Sequence, residues 1–184
     1  REEIMGIPFD NVTMEEALDA ALLLLEKPGA SYGVTPNSEI VYETLSENAL
    51  REIICQADLI LPDGAGVVLG AKILGTPLKE KVAGIEFAQR LMAAMAASGH
   101  RLYLLGSKPG VAEEAARRCQ ERYPGLQICG TADGYFKDEA PVVEAINDDE
   151  RPAEERTRAG VELVRKLTEH ATGLLVFEDL HWAD

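Results

Sequence analysis

Apolar positions change their period repeatedly along this chain, from short continuous runs to three- and four-residue spacing and back. Ile4 to Val12 alternates loosely, which predicts a short strand or hairpin. Thr13 followed by Glu16 is a capping box, so a helix is expected from Met14 to about Lys27, stopped by Pro28-Gly29. "ASYGVTPNSEIVYETL" predicts a short strand ending near Thr35, a turn at Pro36, and a helix whose start is marked by Asn37 and Glu39. "ADLILPDG" is the next strand, with a helix through Gly66 to Leu74, and "GTPLKEKVAG" reads as a connecting loop. Ile85 to Ala97 is an apolar helix ended by Ser98-Gly99. "RLYLLGSKPG" reads as a buried strand and a turn, followed by a helix from Val111 to Tyr123, and "LQICGTADGYF" as a strand into a glycine-rich loop, with a helix from about Asp138. Strands and helices alternate, and the strands are continuously apolar, as parallel strands buried on both faces should be. The fold class expected is therefore α/β: a Rossmann-like, mostly parallel sheet with helices on both faces.

In such sheets ligands gather outside the carboxyl ends of the strands. That rule places four polar loops on one rim: Thr35-Pro36-Asn37, Pro62-Asp63-Gly64, Gly106-Ser107-Lys108 and Gly130 to Tyr135. Asp63 is the residue that asks for an explanation, because aspartate suits neither a strand nor a helix interior. It is either a turn residue that closes the strand and caps the following helix, or a chemical group held at the sheet edge.

Composition narrows the function classes. The chain has 184 residues, 46% hydrophobic and 27% charged, enough for one globular core. Its formal net charge of −14 argues against a sequence-independent grip on nucleic acid, which needs clustered Lys and Arg. No apolar run approaches the roughly 20 residues of a membrane span. No basic region followed by an apolar stretch marks a signal peptide, and the lack of an initiator Met leaves a trimmed start open. Cys55, Cys119 and Cys129 are widely spaced and form no C-x-x-C pair, so buried reduced thiols are expected. His100, His170 and His181 pair with no Cys or Glu at ligand spacing, and neither a metal site nor a cofactor is expected.

The segments "GIPFDNVTMEEAL", "TPNSEIV", "ADLILPDGAGVVLGAKILGTPLKEKVAG", "YLLGSKPGVAEEAA" and "GTADGYF" fall in register with a known pattern. Over roughly Ile4 to Asn147 the chain resembles the TagA/WecG/CpsF family of bacterial glycosyltransferases. That resemblance implies an inverting, metal-independent transfer of a sugar, typically N-acetylmannosamine, from a UDP donor to a membrane-anchored undecaprenyl diphosphate sugar. The products would feed teichoic acid, common antigen, capsule or exopolysaccharide assembly. It implies Asp63 as the catalytic base, with Thr35 and Asn37 lining the donor pocket. Lys81 stands where the family commonly has an arginine that supports the diphosphate. The chemistry is consistent: an inverting transfer needs one carboxylate to take the acceptor's proton and positive or N–H groups to stabilise departing UDP. Gly64 and Gly66 let ligand and backbone approach closely. Gly106-Ser107 in "GSKPG" looks like a phosphate cradle, although it lacks the P-loop pattern. Tyr135 is open to two readings, stacking on a uracil or packing beneath its loop. The family's acceptors place the work at the cytoplasmic membrane face, yet so acidic a chain should bind membrane poorly by itself. Family members often form oligomers, and the helix around Leu91 to Ala97 could serve such a contact or the core.

After Asn147 the family pattern stops, dividing the chain into a core of residues 1–147 and an atypical segment of residues 148–184. Asp148 to Arg158 is charge-dense, Val161 to His170 is helical in period, and Gly173 to Phe177 reads as a strand. "LLVFEDLHWAD" resembles the Walker B strand of AAA/STAND ATPases, with Glu178-Asp179 as its carboxylates, but no phosphate loop accompanies it. The plainer reading is one more helix and strand completing the sheet. Two alternatives to the enzyme thus stand beside it: a non-catalytic nucleotide-binding or assembly module, and a fused fragment carrying an ATPase strand.

Overall fold

A computed structural model describes residues 1–28, 30–132 and 173–177. The chain opens with a hairpin, β1 (Glu2–Ile4) and β2 (Ile7–Phe9), paired antiparallel with Ile4 opposite Ile7. Its turn residues Met5 and Gly6 have φ of 51° and 86°, the doubly positive pattern that matches strand twist in two-residue hairpins. α1 (Met14–Leu25) starts at the expected capping box: Thr13 Oγ1 accepts from the Glu16 amide, and the Glu16 carboxylate accepts from the Thr13 amide. β3 (Ala30–Val34), α2 (Ser38–Glu43), α3 (Asn48–Cys55), β4 (Leu59–Ile60), α4 (Ala65–Leu74) and α5 (Gly84–Ser98) follow. β5 (Arg101–Leu105), α6 (Val111–Arg122), β6 (Gln127–Ala132) and β7 (Gly173–Phe177) complete the order.

β3 lies between β4 and β7 and is parallel to both, with Val34 beside Ile60 and beside Phe177. β4 shows why the strands read as apolar without alternation. Ile60 packs into a core cluster with Val41 of α2, Ile54 of α3, and Val67 and Ala71 of α4. Its neighbours Leu59 and Leu61 pack into a second cluster, with Ala17, Ala21 and Leu24 of α1 and Phe87 and Leu91 of α5. Successive side chains point to opposite faces, so this strand is covered by helices on both sides. The α/β, Rossmann-like reading therefore holds. Leu91 and Met95 face α1 in the second cluster, so the inner face of that alanine-rich helix serves the core.

Three features differ from expectation. Where one helix was expected after Asn37 there are two, α2 and α3. The Thr44 and Ser46 hydroxyls donate to the carbonyls three residues back, Val41 and Glu43, offering an alternative to continued helix. β5 and β6 form their own parallel pair, with a register shift between Leu102 and Tyr103. Nor is β5 buried throughout: Arg101 and Tyr103 are exposed on one face, while Leu102 and Ile128 turn toward the second core cluster. The Tyr103 ring instead lies over Gly130, where any β-carbon would collide with it. The strand expected at Gly173 to Phe177 is present as β7, pairing with β3 over five residues. The helices expected from Asp138 and over Val161 to His170, the charged stretch Asp148 to Arg158, and the carboxylates Glu178-Asp179 lie outside the described residues.

Candidate active site at the carboxyl ends of β3 and β4

Beyond Val34 the chain turns through Thr35, Pro36 and Asn37. Pro36 is fully buried, and Asn37 caps α2, its Oδ1 accepting from the Glu39 and Ile40 amides at 2.9 and 3.0 Å. That use leaves the amide nitrogen of Asn37 free to donate. Thr35 is half-buried, and its hydroxyl makes no hydrogen bond among the described residues.

One strand away, the Leu61 amide still donates to Val34, after which Pro62 ends the ladder because it has no N–H. Gly64 then adopts φ 86° and ψ 147°, a conformation open essentially to glycine alone. A β-carbon there would lie 3.8 Å from Asn37 Cβ, an ordinary contact, so conformation rather than space requires the glycine. Space does matter at Gly66, where a β-carbon would meet Ser38 Oγ at 2.8 Å. The starts of α2 and α4 are thus packed against each other, and the two turns form one rim.

Asp63 sits half-buried on this rim. It does not cap the helix that follows it: Gly64 is the N-cap of α4 and no side chain bonds there. Instead Asp63 Oδ2 accepts from the amide of Gly84, the first residue of α5, at 3.2 Å. The carboxylate lies at the positive end of a 15-residue helix dipole. Oδ1 accepts no hydrogen bond among the described residues, so one oxygen is held and the other is available.

The loop between α4 and α5 closes the rim. Val82 is fully buried, and its amide donates to the Pro62 carbonyl at 3.0 Å. Leu78 is buried upstream. Between them Lys81 is exposed and makes no hydrogen bond or ion pair among the described residues. Lys79 and Glu80 are tied elsewhere. The Lys79 amide donates to Asn11 Oδ1 at 2.8 Å, its ammonium reaches both oxygens of Glu16 at 2.7 Å, and Glu80 accepts from the Met14 amide at 2.5 Å. Sequence reading took this segment as a connecting loop in which it singled out Lys81, and missed Asn11, Lys79 and Glu80. Alternating charges beside two apolar residues that need burial were the only signal.

The structure therefore brings together Thr35, Asn37, Asp63, Gly64 and the backbone that carries Lys81. It does not join Gly106 and Ser107 to them by any hydrogen bond among the described residues. Those two residues follow β5, with φ of 132° and 64°, and lead to Gly110 at 88°, ahead of α6. Tyr135 lies outside the described residues. No group of three or more His, Cys, Asp or Glu among the described residues could hold a metal ion.

Residues 2–152 match the family described as the glycosyl transferase WecG/TagA/CpsF family. Among similar proteins are enzymes named N-acetylglucosaminyldiphosphoundecaprenol N-acetyl-beta-D-mannosaminyltransferase. The Bacillus spizizenii protein is 33% identical over 122 residues, covering 66% of this chain and 48% of the relative. The Bacillus subtilis protein is 27% identical over 147 residues, 79% of this chain and 57% of the relative. The Staphylococcus aureus protein is 32% identical over 128 residues, 68% and 50% respectively. The chain spans about half the length of the curated relatives it matches.

Proposed function

Since the chain belongs to the WecG/TagA/CpsF family of glycosyl transferases, we propose that its rim binds a UDP-sugar and serves transfer of that sugar to a lipid-linked acceptor. The donor sugar is N-acetylmannosamine-like and the acceptor an undecaprenyl-diphosphate-linked sugar, in keeping with the names of its relatives. The observation that carries the reading is the meeting of the Thr35–Asn37 turn, Asp63 and the Lys81 loop at the ends of adjacent parallel strands. Residues 1–147 form the catalytic core in this proposal, and residues 148–184 a C-terminal addition to it.

In the transfer, the free oxygen of Asp63 takes the proton of the acceptor hydroxyl as the hydroxyl oxygen attacks the anomeric carbon. The donor bond to UDP breaks on the opposite face, and the anomeric centre inverts. The Gly84 amide fixes the carboxylate's direction while this happens. Negative charge on departing UDP is met by Lys81 and by the uncapped amides at the start of α4. Thr35 Oγ1 and Asn37 Nδ2 donate to the sugar or diphosphate. Gly106, Ser107 and Tyr135 are assigned to binding of the donor. The acceptor's lipid places the reaction at the cytoplasmic face of a membrane, where the protein acts as a peripheral enzyme. No helix among the described residues is long and apolar enough to cross that membrane.

A second reading has its own support: Asn37 caps α2 and Asp63 caps α5, so both have structural work without chemistry. A nucleotide-binding module needs nothing more. Thermal unfolding with and without UDP, followed by a transfer assay, separates the readings. Saturating UDP at 100 times its dissociation constant adds about 2.7 kcal/mol of stability. Stabilisation with transfer supports the enzyme, stabilisation without transfer supports the module, and no response to UDP removes both.

A further inference from the structure

Lys81 sits between two sets of fastenings that belong to different parts of the chain. Downstream, Val82 and Gly84 are bonded to Pro62 and Asp63. Upstream, Lys79 and Glu80 are bonded to Asn11, Met14 and Glu16, at the entry to α1. The two sets differ in strength. The Lys79–Glu16 ion pair is about half exposed on both sides, a setting in which such pairs contribute little. It still holds the Glu16 carboxyl below the usual carboxylate range, with help from the Thr13 amide. The Glu80 bond is half-buried, charge-assisted, and directed at the first amide of a 12-residue helix. That amide belongs to no capping box, because the box of α1 already uses the Thr13 and Glu16 amides. A carboxylate from 66 residues away therefore satisfies it and ties the loop to the helix.

We propose that Glu80 is a positioning residue, clamping the α4–α5 loop to the start of α1 so that the ammonium of Lys81, unpartnered among the described residues, is held over the rim for an anionic diphosphate. This rests on the donor reading of the rim given above. Glu80 touches no substrate itself and acts through the backbone it shares with Lys81.

The test uses the full chain and UDP as the probe, with affinities from titration calorimetry. Glu80→Ala weakens UDP about fivefold, the loss expected when the released loop presents Lys81 only about a fifth of the time. Glu80→Gln, which still accepts from the Met14 amide, stays within about twofold of the parent. Lys81→Ala weakens UDP by a similar factor, and adding Glu80→Ala to it costs nothing further, because the clamp has no cation left to place. Hydrogen exchange at the Val82 and Gly84 amides quickens in Glu80→Ala but not in Glu80→Gln. Glu80→Asp, which keeps the charge and withdraws it by one methylene, serves as the gentler variant. Additive losses in the double variant, unchanged UDP affinity in Glu80→Ala, or unchanged exchange at Val82 and Gly84 each overturn the proposal. Failure of the parent protein to bind UDP sinks the donor reading instead, and the exchange rates then decide the clamp alone.

Discussion

Among the described residues Asp63 has one oxygen occupied and one free, and that asymmetry is where a role as base can be tested apart from a role as cap. Asparagine keeps an acceptor for the Gly84 amide while losing the ability to take a proton. Asp63→Asn should therefore leave melting temperature and UDP affinity nearly unchanged and lower transfer by about 10²- to 10⁴-fold. Transfer at the parent rate would remove Asp63 from the chemistry. In the proposed role Lys81 meets the diphosphate as a point charge, so Lys81→Arg, with its planar fork, should tighten UDP several-fold through bidentate contact. Weaker binding by that variant in calorimetry would contradict a diphosphate at this position. At this scale the sequence pointed to Asp63 because aspartate suits neither a strand nor a helix interior, to Asn37 as the marker of a helix start, and to Gly64 as a residue that lets ligand and backbone approach closely. It could not show which helix Asp63 serves, because Gly84 is 21 residues away and meets it only through the fold.

At the scale of elements, caps and turns were the most legible. The Thr13–Glu16 box, Asn37 at the start of α2, and the left-handed Gly75 and Gly99 that end α4 and α5 all act within a few residues of chain. The break between α2 and α3 was not legible, because serine and threonine are compatible with a continuing helix until their hydroxyls turn back on it. On α6, Glu114 accepts from Arg117 and Arg118, and Arg117 foremost holds its carboxyl down to about 2 from an ordinary 4.5. A depressed carboxyl contributes stability above its unfolded value and loses it as pH falls through the folded one. That contribution is therefore present above about pH 4.5 and disappears toward pH 2. The pair is exposed, so salt should screen much of it. Carboxyl titration by NMR in Arg117→Ala should show Glu114 moving upward, short of its ordinary value because Arg118 remains. No movement would mean that the ion pairs do not persist in solution.

Across the whole molecule, β4 is the strand on which both cores depend. Ile60 is completely buried against the α2–α4 side, while Leu59 and Leu61 are buried against α1 and α5. Ile60→Ala should cost about 2–5 kcal/mol by leaving a cavity there. Urea unfolding should show it as a lower midpoint with an unchanged slope. A loss below about 1 kcal/mol would contradict the burial of Ile60 against the α2–α4 side.

The chain's own pattern determined the class of the fold, the order of its elements and most of their ends, since these follow from side-chain period and from capping within a few residues. It also determined that Asp63, Thr35 and Asn37 would lie at strand ends, and that a strand would run from Gly173 to Phe177. Only the tertiary structure decided that β7 pairs with β3, that β5 and β6 pair apart with one face open, and that the Lys81 loop is fastened to α1. Those outcomes depend on contacts between residues tens of positions apart. Many partners of similar character compete for such contacts, and burial and register, not local preference, select among them.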